Sequence, residues 1–437
     1  MSGPLAGVRV IDLTTVVMGP FATQILADLG ADVVKVESPE GDVLRHIAPM
    51  RHPGMGHIFL HHNRNKRSLV LDLKQPGGRE ALLRLARPAD VLIYNVRPQA
   101  MRRLRLGYDD VAAVNPRIIY VGAYGYGEGG RYAGQPAYDD LIQGMAGLPS
   151  IFADAGADRP RYVPTAIADR ITGLAAVNAV TAALFCRERT GSGQAVEVPM
   201  FETLAHMVLG DHMSGRTFEP PLAPFRYERM LAPHRAPYAT KDGYVCVLIY
   251  NDKHWRSFFK LIGREEMFQS DPRFASQEAR SRNIAEVYAF VAGEMVKRTS
   301  AEWLELLKEA DIPVAPLNSI EDVLDDPHLR ESGFFVTIEH PTEGRLRMMA
   351  APGAWSQTPP GRLRAASRRA QRRDSAGSGL RRLGNRCVGR ERRYPDAVKP
   401  LARGPRVVRA TRREPPRLSY LVRRPCTWPS RNPRRPR

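Results

Sequence analysis

Val10 to Glu37 reads V-I-D-L-T-T-V-V-M-G-P-F-A-T-Q-I-L-A-D-L-G-A-D-V-V-K-V-E, and the order of its apolar textures decides the fold class. Val8 to Leu13 is a short β-branched run suited to a strand. Phe21 to Leu29 carries apolar residues at helical spacing, and Gly30 stands where a helix C-terminus favours a residue without a Cβ. Val33 to Val36 is a second short strand. Strand, helix and strand within thirty residues is the grammar of an α/β protein.

Working outward, the alternation returns. Ser68 to Leu73 predicts a strand, Gly77 to Ala86 a helix, Val91 to Tyr94 a strand, and Ile118 to Val121 another after the turn at Asn115 and Pro116. An Ala-rich helix is predicted over about Arg170 to Arg189, with Gly191 and Gly193 ending it; a strand over Gln194 to Val198 and a helix from Phe201 to about Met213 follow. A parallel sheet covered by helices accounts for this order. From about Pro220 the chain turns Pro-rich and aromatic, then predicts a strand over Gly243 to Tyr250 and charged amphipathic helices up to Asp311. Ile312 to Leu317 reads as a strand returning toward the first domain, and Phe334 to Ile338 with Leu346 to Met349 as a late hairpin. The expected division is residues 1–219 as the first part of a large domain, 220–311 as a small domain, 312–360 as the return, and 361–437 as a tail.

Composition places the chain among soluble globular proteins, with 43% apolar and 8% aromatic residues, no apolar run expected to span a bilayer, and no signal-like N-terminus. The cytoplasm is the default expectation. Cys186, Cys246, Cys387 and Cys426 are far apart and form no C-x-x-C pair, which speaks against a disulfide framework or a zinc cluster. The net charge of +19 suggests nucleic acid until it is located. From Gly361 onward there are 25 Lys and Arg against 4 acids, leaving 40 against 42 in residues 1–360. Two readings of this Arg-rich segment compete: a basic arm for nucleic acid or an anionic surface, and a reading-frame change in GC-rich DNA that has replaced the natural C-terminus.

Gly125, Gly127 and Gly130 are spaced as G-x-G-x-x-G after a predicted strand, but Arg131, Tyr132, Gly134, Gln135 and Pro136 follow where a dinucleotide site needs a helix. A glycine loop of Gly125, Gly127, Gly129 and Gly130, closing over a ligand or only turning the chain, suits these residues better. His61 and His62, read as neighbours on an extended strand, would face opposite sides, and no metal site is expected. G-x-S-x-G and G-x-x-x-x-G-K-[ST] motifs are absent from the sequence. Asp169 precedes an Ala-rich helix, so on pattern alone it is either an N-cap or a reactive carboxylate.

Taken together, the chain resembles the class III CoA-transferases, the family of the formyl-CoA and carnitine CoA-transferases. The resemblance rests on Val10 to Glu37, N-R-N-K-R-S-L-V-L-D-L-K (Asn63 to Lys74), N-V-R-P (Asn95 to Pro98), L-G-Y, N-P-R-I-I-Y, A-Y-D (Ala137 to Asp139), A-D-R-I-T-G (Ala168 to Gly173), T-G-S-G-Q and D-I-P-V-A-P (Asp311 to Pro316), covering roughly residues 3–355. It implies a Rossmann-like large domain with an inserted smaller α+β domain, and an interlocked homodimer. It also implies Asp169 as the nucleophile that carries the acyl group, with coenzyme A as co-substrate and no other cofactor.

By the same resemblance CoA contacts fall on Val17, on Leu71, Asp72, Leu73 and Lys74, on Asn95, Val96, Arg97 and Arg103, and on Ala137, Tyr138 and Asp139 near the thiol arm. Lys74, Arg97 and Arg103 have the chemistry of phosphate partners. Ser38 replaces an Arg that often meets the adenine end, and Val17 replaces the Gln of formyl-CoA enzymes, which points away from formyl or oxalyl transfer. The racemase branch of the family places a His before the Asp where this chain has Tyr138, which favours transfer over racemisation. Nucleic-acid binding through the basic tail is the reading from a different class.

Overall fold

A computed structural model describes residues 2–361, 363–365 and 367–368. Strands β1 (Arg9–Leu13), β2 (Asp32–Glu37), β3 (Arg67–Val70), β4 (Val91–Tyr94), β5 (Ile119–Tyr124) and β6 (Gln194–Pro199) form one sheet in the order β3-β2-β1-β4-β5-β6. Every pairing in it is parallel. This is the doubly wound order, and it reverses between β1 and β4. Both faces are covered, which is why the strands read as near-continuous apolar runs. Val10, Val91, Ile93, Ile119 and Val121 face one core, built with α1 (Met18–Asp28) and the later long helix. Their neighbours Ile11, Leu13, Leu92, Tyr94 and Tyr120 face the other.

Between the strands run α2 (His57–His62), α3 (Pro76–Ala86), α4 (Pro98–Arg103), α5 (Tyr108–Ala112), α6 (Asp139–Met145), α7 (Leu148–Asp154), α8 (Ile167–Thr190) and α9 (Met200–His212). Gly30 follows α1 with φ of 102° and Gly191 caps α8 with φ of 78°, the left-handed geometry expected of each. His61 and His62 lie on the short helix α2 rather than on a strand; His62 packs edge-on against Phe21, and burial holds its imidazole down to about 4. Helix α8 has the length and apolarity to cross a bilayer, against the expectation of no such segment, and it packs against α1 and β5 in the large core.

A second core gathers around Trp255, Phe258, Phe259, Phe274 and Trp303. It holds α10 (Glu228–Leu231), β7 (Tyr238–Ala239), β8 (Tyr244–Val247), α11 (Asp252–Leu261), α12 (Met267–Ser270), α13 (Gln277–Arg282), α14 (Ile284–Met295), α15 (Ser300–Glu309) and β9 (Val314–Pro316). The strand expected to return toward the first domain does not do so: β9 pairs antiparallel with β8, because Ile312 just before it is buried in this second core. The return comes later. After α16 (Ile320–Asp325) and α17 (Pro327–Glu331), β10 (Phe335–His340) and β11 (Gly344–Met349) form the expected hairpin. Glu343 at its turn accepts from the His52 amide at 3.2 Å, and its backbone carbonyl accepts from Arg51. The tail expected from residue 361 is also corrected at its start. Arg364 exchanges hydrogen bonds with Asn65, and β12 (Ser367–Arg368) adds to the sheet in parallel beside β3. The remainder of that tail lies outside the described residues.

Charges buried toward the carboxyl ends of β1 and β2 and just before β3 tie these segments together. Asp12 is fully buried and accepts from Thr14, Thr23 and Lys66. Lys66 also donates to the Pro20 carbonyl and to Asn63. Lys35 reaches the Thr14 carbonyl at 2.8 Å and Asp42 at 3.0 Å, while Glu37 takes both arms of Arg45 and the Ser68 hydroxyl. Breaking one partner of such a set strands the other charge without water. Lys66→Met is expected to lower unfolding stability by about 3–5 kcal/mol, read from urea midpoints by circular dichroism.

Candidate active site

The crevice beyond β1 and β4, where the strand order reverses, is where doubly wound sheets bind ligands. Two hydrogen bonds shape it: the Thr15 amide donates to Asn95 Oδ1 at 2.9 Å, and Asn95 Nδ2 donates to the Thr15 carbonyl at 2.7 Å. Asn95 thereby fixes the loop that leads into α1. Val16 in that loop has φ of 69°, a costly conformation for a β-branched residue that only a rigid surrounding sustains. Val17 then stands at the N-cap of α1, whose first turn has no side-chain cap.

The expected CoA contacts occupy three places. Val17, Asn95, Val96 and Arg97 lie at the switch point, with Val96 and Arg97 exposed. Leu71 to Lys74 follow β3, two strands away; Leu71 is buried, Asp72 accepts from the Lys74 amide, and Lys74 is exposed. Arg103 ends α4, exposed. Arg97 contacts the Gly134 carbonyl at 3.4 Å, so it leans toward the segment that carries Ala137, Tyr138 and Asp139.

Asp169 does not cap α8. The helix begins at Ile167 behind Ala166, which puts Asp169 in its first turn. The capping is done from elsewhere: Asp139, the first residue of α6, accepts the Asp169 amide at 2.9 Å. Gln143, one turn along α6 and fully buried, donates to the other Asp139 oxygen at 2.6 Å and accepts from the Val163 amide. One turn after Asp169, Gly173 meets α1 so closely that a Cβ there would stand 2.9 Å from the Met18 carbonyl. Asp169 is thus half-buried beside the entry of α1, next to a second carboxylate. Burial, then the Asp139 charge, push its carboxyl up to about 7, against the pull of Arg170. Tyr138, just before Asp139, is 66% exposed.

The glycine loop leaves β5 directly behind this pair. Gly125 abuts Ala137, leaving no room for a side chain. The Gly127 amide donates to Glu202 and the Glu128 amide to Glu197, so both are committed to carboxylates in this conformation. Glu128 in turn takes Arg102. Sequence reasoning did not single out Gln143, Glu197 or Glu202. Gln143 was accessible through its i, i+4 spacing from Asp139, whereas the two glutamates meet the loop only through the fold.

A doubly wound α/β protein with a half-buried aspartate in the first turn of a helix packed on α1 is the class that fold and site define. Family comparison then narrows it. The pattern of CoA-transferase family III matches residues 5–368, and the chain belongs to that family of enzymes. The match ends on β12, where the described residues also end. The succinate–glutarate CoA-transferase of Agrobacterium fabrum is 33% identical over 82% of this chain and 90% of its own length. The formyl-CoA:oxalate CoA-transferase of Streptomyces avermitilis is 34% identical over 82% and 91%. The crystal structure of Rv3272 from Mycobacterium tuberculosis superposes with a TM-score of 0.71 at 30% identity, over 84% of this chain and 97% of that one.

A carboxyl whose folded value is raised favours the protonated native state. Its contribution to stability is present below the unfolded value of 3.8 and lost as pH rises through about 7. Asp169→Asn escapes this loss. Its melting temperature is therefore expected to exceed that of the parent by a margin that widens from about pH 4 to about pH 7 and then levels, as differential scanning calorimetry would read.

Proposed function

We propose that this enzyme moves coenzyme A from an acyl-CoA to a carboxylic acid through a covalent intermediate on Asp169. The observation that carries this is the placement of Asp169: half-buried, beside the uncapped entry of α1, with its backbone locked by Asp139. The Asp169 carboxylate attacks the thioester carbonyl, forming an aspartyl mixed anhydride and releasing CoA thiolate. The thiolate attacks the aspartyl carbonyl, giving an aspartyl-CoA thioester and freeing the donor acid. The acceptor carboxylate then attacks that thioester and the same two steps run in reverse, which restores Asp169. Each step exchanges one acyl bond for another and requires no external proton or electron.

Burial serves this chemistry by keeping water from the anhydride. The uncapped amides of α1 suit the phosphates of CoA, with Lys74, Arg97 and Arg103 as candidate cations and the Leu71 to Lys74 segment as a wall. In this reading the Gly125 to Gly130 loop is the cover, and releasing it means breaking the Gly127–Glu202 and Glu128–Glu197 contacts. Since Val17 and Ser38 point away from oxalyl transfer, the name of the Agrobacterium relative favours a longer dicarboxylic acid of the succinate or glutarate kind as acceptor. Phe185, Met207, Leu209, Phe218 and Phe225 are exposed, which supports a homodimer that covers them.

Asp169→Ala and Asp169→Asn are expected to reduce transfer by about 10³-fold or more without changing oligomeric mass. Mass spectrometry after incubation with succinyl-CoA, with hydroxylamine or borohydride as trap, should show an altered peptide containing Asp169. Normal turnover by Asp169→Ala would overturn the assignment, and rapid α-proton exchange in deuterated buffer without an acceptor would indicate racemisation. Asp139→Asn keeps an acceptor for the Asp169 amide but removes the neighbouring charge. Its kcat/KM should therefore keep its acid limb but move it to lower pH, whereas Asp139→Ala should lose activity across the range.

A further inference from the structure

The second core is not solid. A cavity of about 330 Å³ opens beside β7 and β8, and its walls come from residues between Arg229 and Val291 alone. Pro237, Val247, Ile249, Trp255 and Val291 make it apolar. Arg229 and Arg235 also line it, and no acidic residue does.

Neither arginine has a carboxylate partner among the described residues. Arg229 donates to the Tyr288 hydroxyl at 3.0 Å and lies over the Tyr250 ring, so its charge is met by neutral groups. Tyr238 is only 7% exposed, lines the same cavity, and has no hydrogen-bond partner for its hydroxyl among the described residues. Two guanidinium groups free of carboxylate partners beside an apolar wall leave donors available to an anionic ligand with a hydrocarbon body. The volume falls in the range of small-molecule sites, about 300–1,000 Å³.

We propose that this cavity binds a small organic carboxylate, with its charged end on Arg229, Arg235 and the Tyr238 hydroxyl and its apolar body against Ile249, Trp255 and Val291. A planar carboxylate accepts from a guanidinium fork in pairs, and the apolar wall selects a hydrocarbon body that inorganic phosphate lacks. The inference rests on the cavity alone and is independent of the role given to Asp169.

Isothermal titration of hexanoate into the full chain tests it, with inorganic phosphate as the comparison anion and with Arg229→Met, Arg235→Met and Asp169→Ala as variants. Hexanoate is expected to bind the parent and Asp169→Ala alike, to bind about tenfold or more weakly to each arginine variant, and to outcompete phosphate. Circular dichroism checks that the variants fold. Arg235 is exposed, so Arg235→Met carries the test if loss of the Arg229–Tyr288 contact disturbs folding. Absence of hexanoate binding, undiminished binding in the correctly folded arginine variants, loss of binding in Asp169→Ala, or equal binding of phosphate would each overturn the proposal.

Discussion

Asp12 lies in the middle strand of the sheet with no access to water, and the architecture around the crevice follows from the need to satisfy it. Lys66, from the loop before β3, provides its counter-charge, and Thr14 and Thr23 fill its remaining acceptor sites. Through Lys66 the same contact reaches the Pro20 carbonyl at the start of α1. Lys35 then links the Thr14 carbonyl to Asp42, and Asp42 caps the turn that delivers Arg45 to Glu37. Three strand ends and the entry of α1 are thereby held as one rigid rim. Desolvating so many charges stabilises little by itself, but it makes the arrangement specific, because any slip leaves an ion without a partner.

Beside that rim, the geometry of the candidate site is set largely by contacts to the backbone. Asn95 is the example: both ends of its amide are spent on Thr15, so it acts through the loop it holds. Asp139 serves Asp169 in a related manner, ordering the first turn of α8 while bringing a negative charge near it. The two effects pull apart. A helix N-terminus favours an ionised carboxylate, whereas burial and a second carboxylate oppose it, and the balance leaves Asp169 able to change protonation near neutrality.

Much of this was legible in the residues. The β-branched runs and helical spacings marked the strands and helices of the large unit, since both faces of a parallel sheet must be apolar; Val91 to Tyr94 was placed without error. Gly30 and Gly191 announced their helix ends because only a left-handed residue fits there. What failed was short or remote. Six residues at His57 to His62 are too few to show a helical period, so the segment reads as extended in sequence. On pattern Asp169 reads as a cap as well as a reactive carboxylate, because the acceptor of its amide, Asp139, lies thirty positions earlier and on another helix. Ile312 to Leu317 looked like a returning strand because its pattern names a strand without naming its neighbour. The family, by contrast, is legible in the motifs from Val10 to Pro316, and the family match over residues 5–368 agrees with it.

Strand β12 closes the β3 margin of the sheet from a position nearly at the limit of the family match, and the paired Asn65 and Arg364 stand 299 residues apart along the chain. A nascent chain therefore completes β1 to β6 long before the segment that shields their flank has left the ribosome. Until then the β3 backbone is an unguarded template for a neighbouring polypeptide. Truncation upstream of residue 367 would make that transient hazard permanent, so the segment earns its place during synthesis as much as in the finished molecule.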